Sequence, residues 1–302
     1  MTPRSIYVLP IALLLFLASC SKKSTDVIAP PPPPPPNPGQ ATDNDPLVLG
    51  NPTNAQTSVS FPTNYLKNNT FYKIAYHSTR GIPVWVGWHL ESGDMGSTPR
   101  QDDFRADLLL PAGWYQVQDN SYTGSGFDRG HNCPSADRTS TVAANSSTFL
   151  MTNIIPQAPK LNQGPWAGLE DHTRTLVGTT KEAFIFMGNH GEGGYNYNNL
   201  YYTSIDNGNV TVPEMIWKVV ILIPKGNNDL SRVDSNATVI AVNMPNDNRL
   251  YSIGGSGNSA WRNYITSITS LEQEANAEGV PLNLLKSLPE GVRNFLKAKI
   301  YQ

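Results

Sequence analysis

The sequence is poor in cysteine and in charge, and it lacks any internal repeat. It has two cysteines, Cys20 and Cys133, so at most one disulfide is possible. Charged residues make up 15% of the chain and the formal net charge is −2, so overall charge gives no support to a nucleic-acid binder. Such binding would need a local basic patch. The glycine-rich residues 191–194 are not followed by the Gly-Lys-Ser or Gly-Lys-Thr of a phosphate-binding loop.

The N-terminus has the pattern of an export signal. Arg4 supplies a positive charge, and residues 6–17 form an apolar stretch too short to span a bilayer comfortably. It ends in Leu-Ala-Ser-Cys, which resembles the bacterial lipoprotein lipobox. There the cysteine is lipidated and becomes the mature N-terminus, and several acyl chains give stable anchoring. We therefore expect residues 1–19 to be a signal peptide and Cys20 to be the lipidation site. An ordinary cleaved signal with an incidental cysteine is the alternative.

These features predict an exported lipoprotein anchored to a membrane through Cys20. Ser21 does not resemble an inner-membrane retention signal, which favours the outer membrane, with the cell surface or periplasm as the compartment. Residues 20–57 hold the lipidated cysteine and a proline-rich linker. The proline run at 30–36 favours a stiff polyproline II spacer. Residues 58–302 are expected to form the folded domain, which is long enough to bury a sizeable core without disulfides.

If Cys20 is acylated, Cys133 is the only remaining thiol and no intramolecular disulfide can form. Cys133 lies two residues after His131, which raises the alternative of a Cys/His nucleophile. Closeness in sequence is no evidence of the geometry such a pair requires, so we favour a structural cysteine.

Short runs rich in aromatic and β-branched residues, bounded by turn formers, predict strands. They cover residues 71–77, 83–90, 127–132, 148–155, 183–188, 216–223 and 239–243. Apolar residues at helical spacing predict helices over 162–177, 259–278 and 284–296. Strands dominate the middle and helices flank them, without a βαβ rhythm. The pattern therefore predicts an α+β fold with a largely antiparallel central sheet flanked by helices.

The first predicted helix has a polar face. Asn162 is a good N-cap, Pro165 falls in the first turn, and Gly178 can end the helix. At about 100° per residue, Asn162, Glu170 and Arg174 share one broad face. An amide oxygen, a carboxylate and a guanidinium suit a hydrated magnesium ion and a phosphate. An ordinary solvated face is the alternative for these three residues alone.

His131 ends the tetrapeptide Asp-Arg-Gly-His at the end of a predicted strand. A neutral imidazole near pH 7 can take a proton from water. A lone histidine beside an aspartate is otherwise more often structural. His172 follows Glu170 by two residues, and it lies about 160° around the helix axis from it, so we expect it to point away from the site.

Together these segments resemble a known family. They are the Asp-Arg-Gly-His tetrapeptide, the TNIIPQ segment at 152–157, and LNQGPWAGLE at 161–170 followed by Arg174. This combination resembles the DNA/RNA non-specific endonucleases of the Serratia-nuclease type, which are ββα-metal, or His-Me finger, nucleases. The thirty-one residues from His131 to Asn162 suit that family. The tetrapeptide alone is a weak signal, whereas the spaced set is specific and extends more weakly over about residues 60–298.

The resemblance implies a role for each matching residue. His131 corresponds to the general base that activates water, and Asn162 to the direct protein ligand of Mg²⁺, with Mn²⁺ as an alternative ion. Glu170 corresponds to the carboxylate that orients metal-bound waters. Arg100 resembles an arginine that stabilises charge on the scissile phosphate, and Arg105 is a nearby competitor.

Further residues match the substrate side and the surroundings of the site. Arg129 and Arg174 resemble substrate-binding arginines, and Asn153 resembles a site amide near the catalytic histidine. Asp128 is expected to support its turn. The implied reaction hydrolyses phosphodiester bonds of DNA and RNA without sequence specificity and leaves 5′-phosphates. A non-catalytic nucleic-acid-binding lipoprotein and a phosphodiesterase with a restricted substrate are the alternatives, and homodimerisation is open. Stacking of bases on Trp88, Tyr195 or Tyr197 is considered, but aromatic residues are more often core.

Overall fold

A computed structural model describes residues 43–302. The expected signal peptide, the lipidation site Cys20 and the proline run lie outside the described residues. Within residues 43–302, no helix combines the length and the apolarity needed to cross a membrane.

The fold is built on one antiparallel sheet of six strands. In spatial order these are β1 (Tyr65–Asn68), β2 (Lys73–His77), β3 (Ile82–Leu90), β6 (Lys181–His190), β11 (Met215–Pro224) and β12 (Thr238–Pro245). The central strands are buried on both faces, which explains why their sequences are nearly continuous apolar runs. The antiparallel α+β architecture expected from the sequence is confirmed.

The centre of the sheet is packed tightly around one glycine. Gly188 pairs with Trp85 on one side and Trp217 on the other. A Cβ atom at this position would lie 2.4 Å from Trp217 Cζ2, so only glycine leaves room for the indole.

Three two-stranded sheets complete the strand set. They are β4 (Asp128–His131) with β5 (Ile154–Gln157), β7 (Gly194–Tyr195) with β8 (Tyr201–Tyr202), and β9 (Ser204–Ile205) with β10 (Val210–Thr211). The α-helices are α1 (Val142–Ser147), α2 (Pro159–Leu161), α3 (Ala167–Val177), α4 (Asp229–Arg232), α5 (Ile268–Ala277) and α6 (Glu290–Ala298).

The two faces of the sheet bury different elements. One face packs against the β4–β5 hairpin, the α2–α3 helical segment and the 3₁₀ helix Gly255–Tyr264, with Ile154, Trp166 and Leu169 in the core. The opposite face packs against α5 and α6 through Leu271 and Leu296. The sheet therefore separates the layer that contains the finger motifs from the layer formed by α5 and α6.

The folded region includes residues that the sequence analysis placed in the linker. The 3₁₀ helix Pro46–Leu49 is capped by Asp45, and Leu49 is fully buried against the structural face of the sheet. Residues 46–57 therefore pack with the domain. The division into signal peptide and lipidated linker stays a prediction.

The helix predicted over 162–177 differs from the observed one. Helical backbone begins at Pro159, so Asn162 is not an N-cap. Residues Asn162–Trp166 form a π-helical turn with Gly164 at φ −107° and ψ −107°. Pro165 lacks an N–H and its ring clashes with the preceding turn, which accounts for the break. The shared face computed for one regular helix therefore does not apply across this turn. Gly178 does end the helix, at φ +49°.

Three other predicted elements are shortened or divided. The strand over 148–155 starts only at Ile154, after the 3₁₀ turn Met151–Asn153. The helix over 259–278 is two helices, because Ile265 bridges to Val242 and the second helix starts afresh at Ser267, whose side chain caps it. The terminal helix begins at Glu290 rather than near 284.

Candidate active site

Strands β4 and β5 and the helical segment that follows them form a ββα unit. Asp128 pairs with Gln157 and His131 with Ile154 across the hairpin. Gly130 allows this close pairing, since a Cβ atom there would lie 2.3 Å from Gln157 Oε1. The sequence motifs thus fold into the finger that the family resemblance implies.

His131 lies in a largely aromatic environment at the end of β4. Its ring centroid is 4.9 Å from that of Phe149 and 5.4 Å from that of Phe104. Burial, together with the positive charges of Arg100 and Arg129, lowers its pKa from 6.5 to about 3. The imidazole is therefore neutral at pH 7, and its Nε2 is buried without a hydrogen-bond partner among the described residues.

A cleft of about 500 Å³ opens beside this histidine. Its lining residues are Arg100, Asp102, Phe104, Asp119, Tyr122, Thr123, Phe127, Asp128, Arg129, Asn162 and Gln163. Three of the predicted site residues, Arg100, Arg129 and Asn162, thus lie around one space, and His131 stacks against its Phe104 wall.

The two arginines are held by aromatic rings. The guanidinium of Arg129 lies 3.8 Å from the Phe104 ring centroid, and that of Arg100 lies 4.8 Å from the centroid of Phe149. Arg100 Nη1 also donates to Ser135 Oγ at 2.9 Å. These contacts orient two cations at the cleft while leaving donors on both side chains.

The structure distinguishes Arg100 from its competitor. Arg105 Nη1 donates to Asp103 Oδ2 at 2.8 Å and to the Ser146 carbonyl at 2.9 Å. It does not line the cleft. Arg100 is also paired, since its Nε donates to Asp102 Oδ1 at 2.6 Å. The two arginines therefore differ in that Arg100 lines the cleft and Arg105 does not.

Asn162 is oriented by Asp128. Its Nδ2 donates to Asp128 Oδ2 at 2.8 Å, and Gln163 Nε2 donates to the same oxygen at 2.8 Å. Because the Asn162 side chain is not used as a helix N-cap, its Oδ1 has no protein partner within residues 43–302. A free amide oxygen next to a carboxylate fits a magnesium-type ion, which prefers oxygen ligands and keeps several waters.

Glu170 forms a contact that the sequence analysis missed. Lys218, on the central strand β11, places Nζ 3.0 Å from Glu170 Oε1. Lys218 is 2% exposed and its Nζ lies 4.5 Å from the Trp166 ring centroid. Burial raises the pKa of Glu170, and the charge of Lys218 opposes that rise. A lone lysine inside the apolar run IWKVVI was the available signal.

Arg174 is engaged in ion pairs instead of facing the cleft. Its Nη1 donates to Asp137 Oδ1 at 2.8 Å, and its Nη2 donates to Asp171 Oδ1 at 2.5 Å. The other Asp137 oxygen accepts from Trp88 Nε1 at 2.9 Å, and Trp88 is itself buried. These ion pairs link α3 to the turn after His131, and the substrate contact expected of Arg174 stays a prediction.

Asn153 lies behind the site and is fully buried. Its Nδ2 donates to the carbonyls of Cys133 and Thr148, and its Oδ1 accepts from the Cys133 N–H at 3.0 Å. All its side-chain groups are thus used to hold the backbone just beyond His131. These bonds fit a positioning role for Asn153, and its place in the catalytic set stays a prediction.

Two alternatives from the sequence can be compared with the structure. Cys133 is buried and burial raises the pKa of its thiol, so it does not supply a thiolate. His172 bonds to the Tyr301 hydroxyl at 2.9 Å and packs on Trp261, away from the cleft as expected.

A second set of possible metal ligands lies elsewhere. In the part of the chain that the structure describes, His89, Glu182 and Asp229 bring ligand atoms within 4.8 Å of one another. None of them lines the cleft, and Arg232 pairs with both carboxylates. This set is therefore separate from Asn162.

Comparisons with known proteins agree with this geometry. The family model for DNA/RNA non-specific endonuclease matches residues 50–289. A nuclease from Nostoc sp. (strain PCC 7120) is 42% identical over 226 residues, which is 75% of this chain and 77% of that protein. Human mitochondrial endonuclease G is 32% identical over 169 residues, 53% of this chain and 56% of that protein. A chain from a crystal structure of an EndoG/EndoGI complex matches with a TM-score of 0.62 at 20% identity, covering 81% of this chain and 91% of its own length.

Proposed function

Because the chain belongs to the DNA/RNA non-specific endonuclease family and is an endonuclease, we propose that catalysis takes place in the cleft beside His131. One arrangement carries the proposal: a neutral, partner-free imidazole lies next to two oriented arginines and to an asparagine with a free carbonyl oxygen. This combination can bind a phosphodiester anion and remove a proton from water.

In this proposal His131 is the general base. Its neutral form predominates at pH 7 because its pKa is lowered to about 3. Such a low pKa makes the imidazole a weak base in the free protein. Burial is the larger cause of this shift. A phosphate anion bound beside Arg100 and Arg129 would offset the smaller cause, their positive charges, and so raise the pKa of His131 in part.

Arg100 and Arg129 bind the scissile phosphate. Both lie on aromatic rings at the cleft, so their guanidinium groups are placed before the substrate arrives. Contacts to phosphate oxygens carry no base information, and this accounts for hydrolysis of DNA and RNA without sequence specificity. We assign 5′-phosphates to the products on the family resemblance. Arg174 acts indirectly by holding α3 to Asp137.

Divalent-metal dependence is consistent with the family. We assign Mg²⁺, with Mn²⁺ as an alternative, to Asn162 Oδ1, and we assign Glu170 to its bound water. When bound, such an ion would supply positive charge that stabilises a phosphodiester undergoing hydrolysis in the cleft. Asp128 orients the Asn162 amide, and Lys218 holds one Glu170 oxygen.

The experiment is to incubate purified protein with supercoiled plasmid, structured RNA and a small phosphodiester, with Mg²⁺, Mn²⁺ or chelator. We expect both polymers to be cut internally with either ion, and we expect no cleavage with chelator. His131→Ala should abolish turnover while circular dichroism stays unchanged. Cleavage of the small diester alone would instead indicate a restricted phosphodiesterase, and full activity of His131→Ala would refute the assignment of the base.

For location, we propose an exported lipoprotein anchored through Cys20, at the outer membrane or cell surface. The apolar stretch at 6–17 and the Leu-Ala-Ser-Cys sequence support it. Metabolic labelling with a palmitate analogue and membrane fractionation test it, with Cys20→Ser as the variant and Cys133→Ser as the matched control. Release of the Cys20→Ser protein alone is the expected result, and equal membrane association of both variants would refute it. A homodimer is a further possibility that sedimentation would detect.

A further inference from the structure

Four tyrosines lie together on a short hairpin beside the cleft. We call Tyr195, Tyr197, Tyr201 and Tyr202, on β7, β8 and their connection, the tyrosine ridge. Tyr197 is 67% exposed, Tyr201 55% and Tyr202 37%. Residues 194–203 contain no charged side chain. Tyr195 and Tyr201 face each other on one side of the hairpin with ring centroids 5.2 Å apart, and Tyr202 points to the other side, toward Phe127. Exposed aromatic surface of this extent marks a binding surface more often than single exposed apolar residues do.

The backbone that carries the ridge is held in place. Asn196 Oδ1 accepts from the backbone N–H groups of Asn198 and Leu200, which ties the connection between the strands. Tyr195 N–H donates to the Asn246 carbonyl at 3.0 Å. The Arg249 guanidinium covers one face of Tyr195 at 3.2 Å from the ring centroid. The rings are therefore presented by an ordered hairpin, and a ligand that binds them loses little additional conformational entropy of the loop.

The ridge is continuous with the cleft. Tyr197 N–H donates to the Gly126 carbonyl at 2.8 Å, and Asn196 Nδ2 donates to the Ser125 carbonyl at 2.8 Å. The next residues along the chain, Phe127 and Asp128, line the cleft. The Tyr202 ring centroid is 6.3 Å from that of Phe127. A neighbouring depression of about 410 Å³ includes Tyr202 and shares Thr123 with the cleft.

From this placement we infer that the tyrosine ridge stacks the bases of an unpaired DNA or RNA strand whose phosphate occupies the cleft. The inference rests on the proposed function of the cleft. Stacking on tyrosine is tolerant of sequence because every base has a π face, which suits an enzyme without sequence preference. In a duplex the base faces are covered by neighbouring pairs. The ridge therefore favours single strands, loops and frayed ends as substrates, while phosphate contacts in the cleft serve both forms.

Binding to catalytically inactive protein tests the inference. His131→Ala protein, with Mg²⁺ present, is titrated into a labelled oligothymidylate and into a labelled hairpin duplex while anisotropy is recorded. Adding Tyr197→Ala or Tyr201→Ala should weaken binding of the single strand about fivefold or more, and that of the duplex much less. Tyr197→Phe should keep the affinity, because the stacking face remains. Phe295→Ala, which removes a 53% exposed aromatic ring from α6, is the matched control.

The salt dependence of nucleic-acid binding distinguishes the contribution of the ridge from that of the arginines. Because the ridge carries no charge, removing a tyrosine should weaken binding without changing the slope of log affinity against log salt. Arg129→Ala should reduce that slope by about one unit. The same tyrosine substitutions are also made in enzyme that keeps His131. They should raise the KM for cleavage of single strands more than the KM for cleavage of plasmid.

Unchanged affinity of Tyr197→Ala and Tyr201→Ala for the single strand would overturn the inference. Equal losses for single strand and duplex would also overturn it. If the variants instead changed sedimentation behaviour and left single-strand binding intact, the ridge would be an interface with a second copy of the chain. Failure of the proposed function shows differently, as a lack of cleavage by the unmodified enzyme. Because the Tyr197 side chain forms no hydrogen bond within the described residues, we expect Tyr197→Ala to fold. Thermal melting of the variant protein checks this.

Discussion

Lys218 Nζ lies 3.0 Å from Glu170 Oε1, and this pair joins the middle of the central sheet to the catalytic finger. Lys218 is almost completely buried, and Glu170 has 16% of its side chain exposed. The lysine cation compensates a carboxylate whose pKa burial raises. The pair thus opposes the rise in the pKa of Glu170 and fixes one of its oxygens.

Replacing Lys218 with methionine should therefore impair both stability and turnover. The change leaves Glu170 without its cation, and removal of one partner of a buried pair costs about 3–5 kcal/mol in the free energy of unfolding. Urea unfolding and plasmid cleavage measure the two effects. The double variant Lys218→Met with Glu170→Gln should recover much of the stability and none of the activity. If Lys218→Met alone keeps full stability, the pair contributes little to the fold.

The pKa of His131 predicts the pH dependence of stability. Its folded-state pKa is about 3, against 6.5 for the ordinary group, so between these values the unfolded chain binds more protons. Stability should therefore rise with pH through this window, with the contribution of His131 complete above about pH 6.5 and lost toward pH 3. Urea midpoints at pH 4.5 and 7 should differ less for His131→Gln than for the parent. An equal difference in both proteins would show that other groups cause the acid loss.

Replacing Arg129 should change the pKa of His131. The positive charge of Arg129 is one of the causes of the lowered pKa of His131. Arg129→Gln should raise that pKa, so the acid limb of kcat/KM for the free enzyme should move to higher pH. The comparison is a pH profile of kcat/KM for both proteins, with Arg293→Gln on α6 as a control for charge removal. Superimposable acid limbs would contradict the electrostatic origin of the shift.

Gly130→Ala should disrupt the catalytic hairpin. The added methyl would lie 2.3 Å from Gln157 Oε1 and 2.6 Å from Gln157 Cβ, so β4 and β5 must separate. Such overpacking costs about 1–3 kcal/mol, and displacement of His131 should reduce turnover as well. Gly291→Ala in α6 is the control, because nothing lies within 4 Å of the added methyl. Thermal melting and plasmid cleavage should show losses for the first variant alone.

Cys133 should be chemically silent and dispensable for turnover. Its thiol is buried and burial raises its pKa, so a thiol reagent should react slowly with the native protein and quickly after unfolding. In a Cys20→Ser background, which leaves one thiol, this difference is measured by reagent absorbance. Cys133→Ala should keep kcat near the parent value. A large loss of kcat in a stably folded variant would revive the nucleophile alternative.

The sequence by itself was enough to predict most of the central strands, the family and the finger, because these depend on residues close together along the chain. Apolar runs bounded by turn residues located the strands of the central sheet, because two-sided burial favours apolar side chains along most of their length. The spaced motifs identified the family, the finger and the cleft residues Arg129 and Asn162. These features can be predicted from sequence because each depends on local backbone preference or on the spacing of residues within one short segment.

Only the tertiary structure decided which charges meet. It paired Lys218 with Glu170 and Arg174 with Asp137, and it turned Arg100 rather than Arg105 toward the cleft. The π-helical turn at Asn162 likewise departs from the regular spacing that a sequence pattern assumes. Ion pairs form between side chains brought together by packing of distant segments. The energy of an ion pair depends on the distance between the two charges and on their burial. Neither quantity can be derived from the order of residues along the chain.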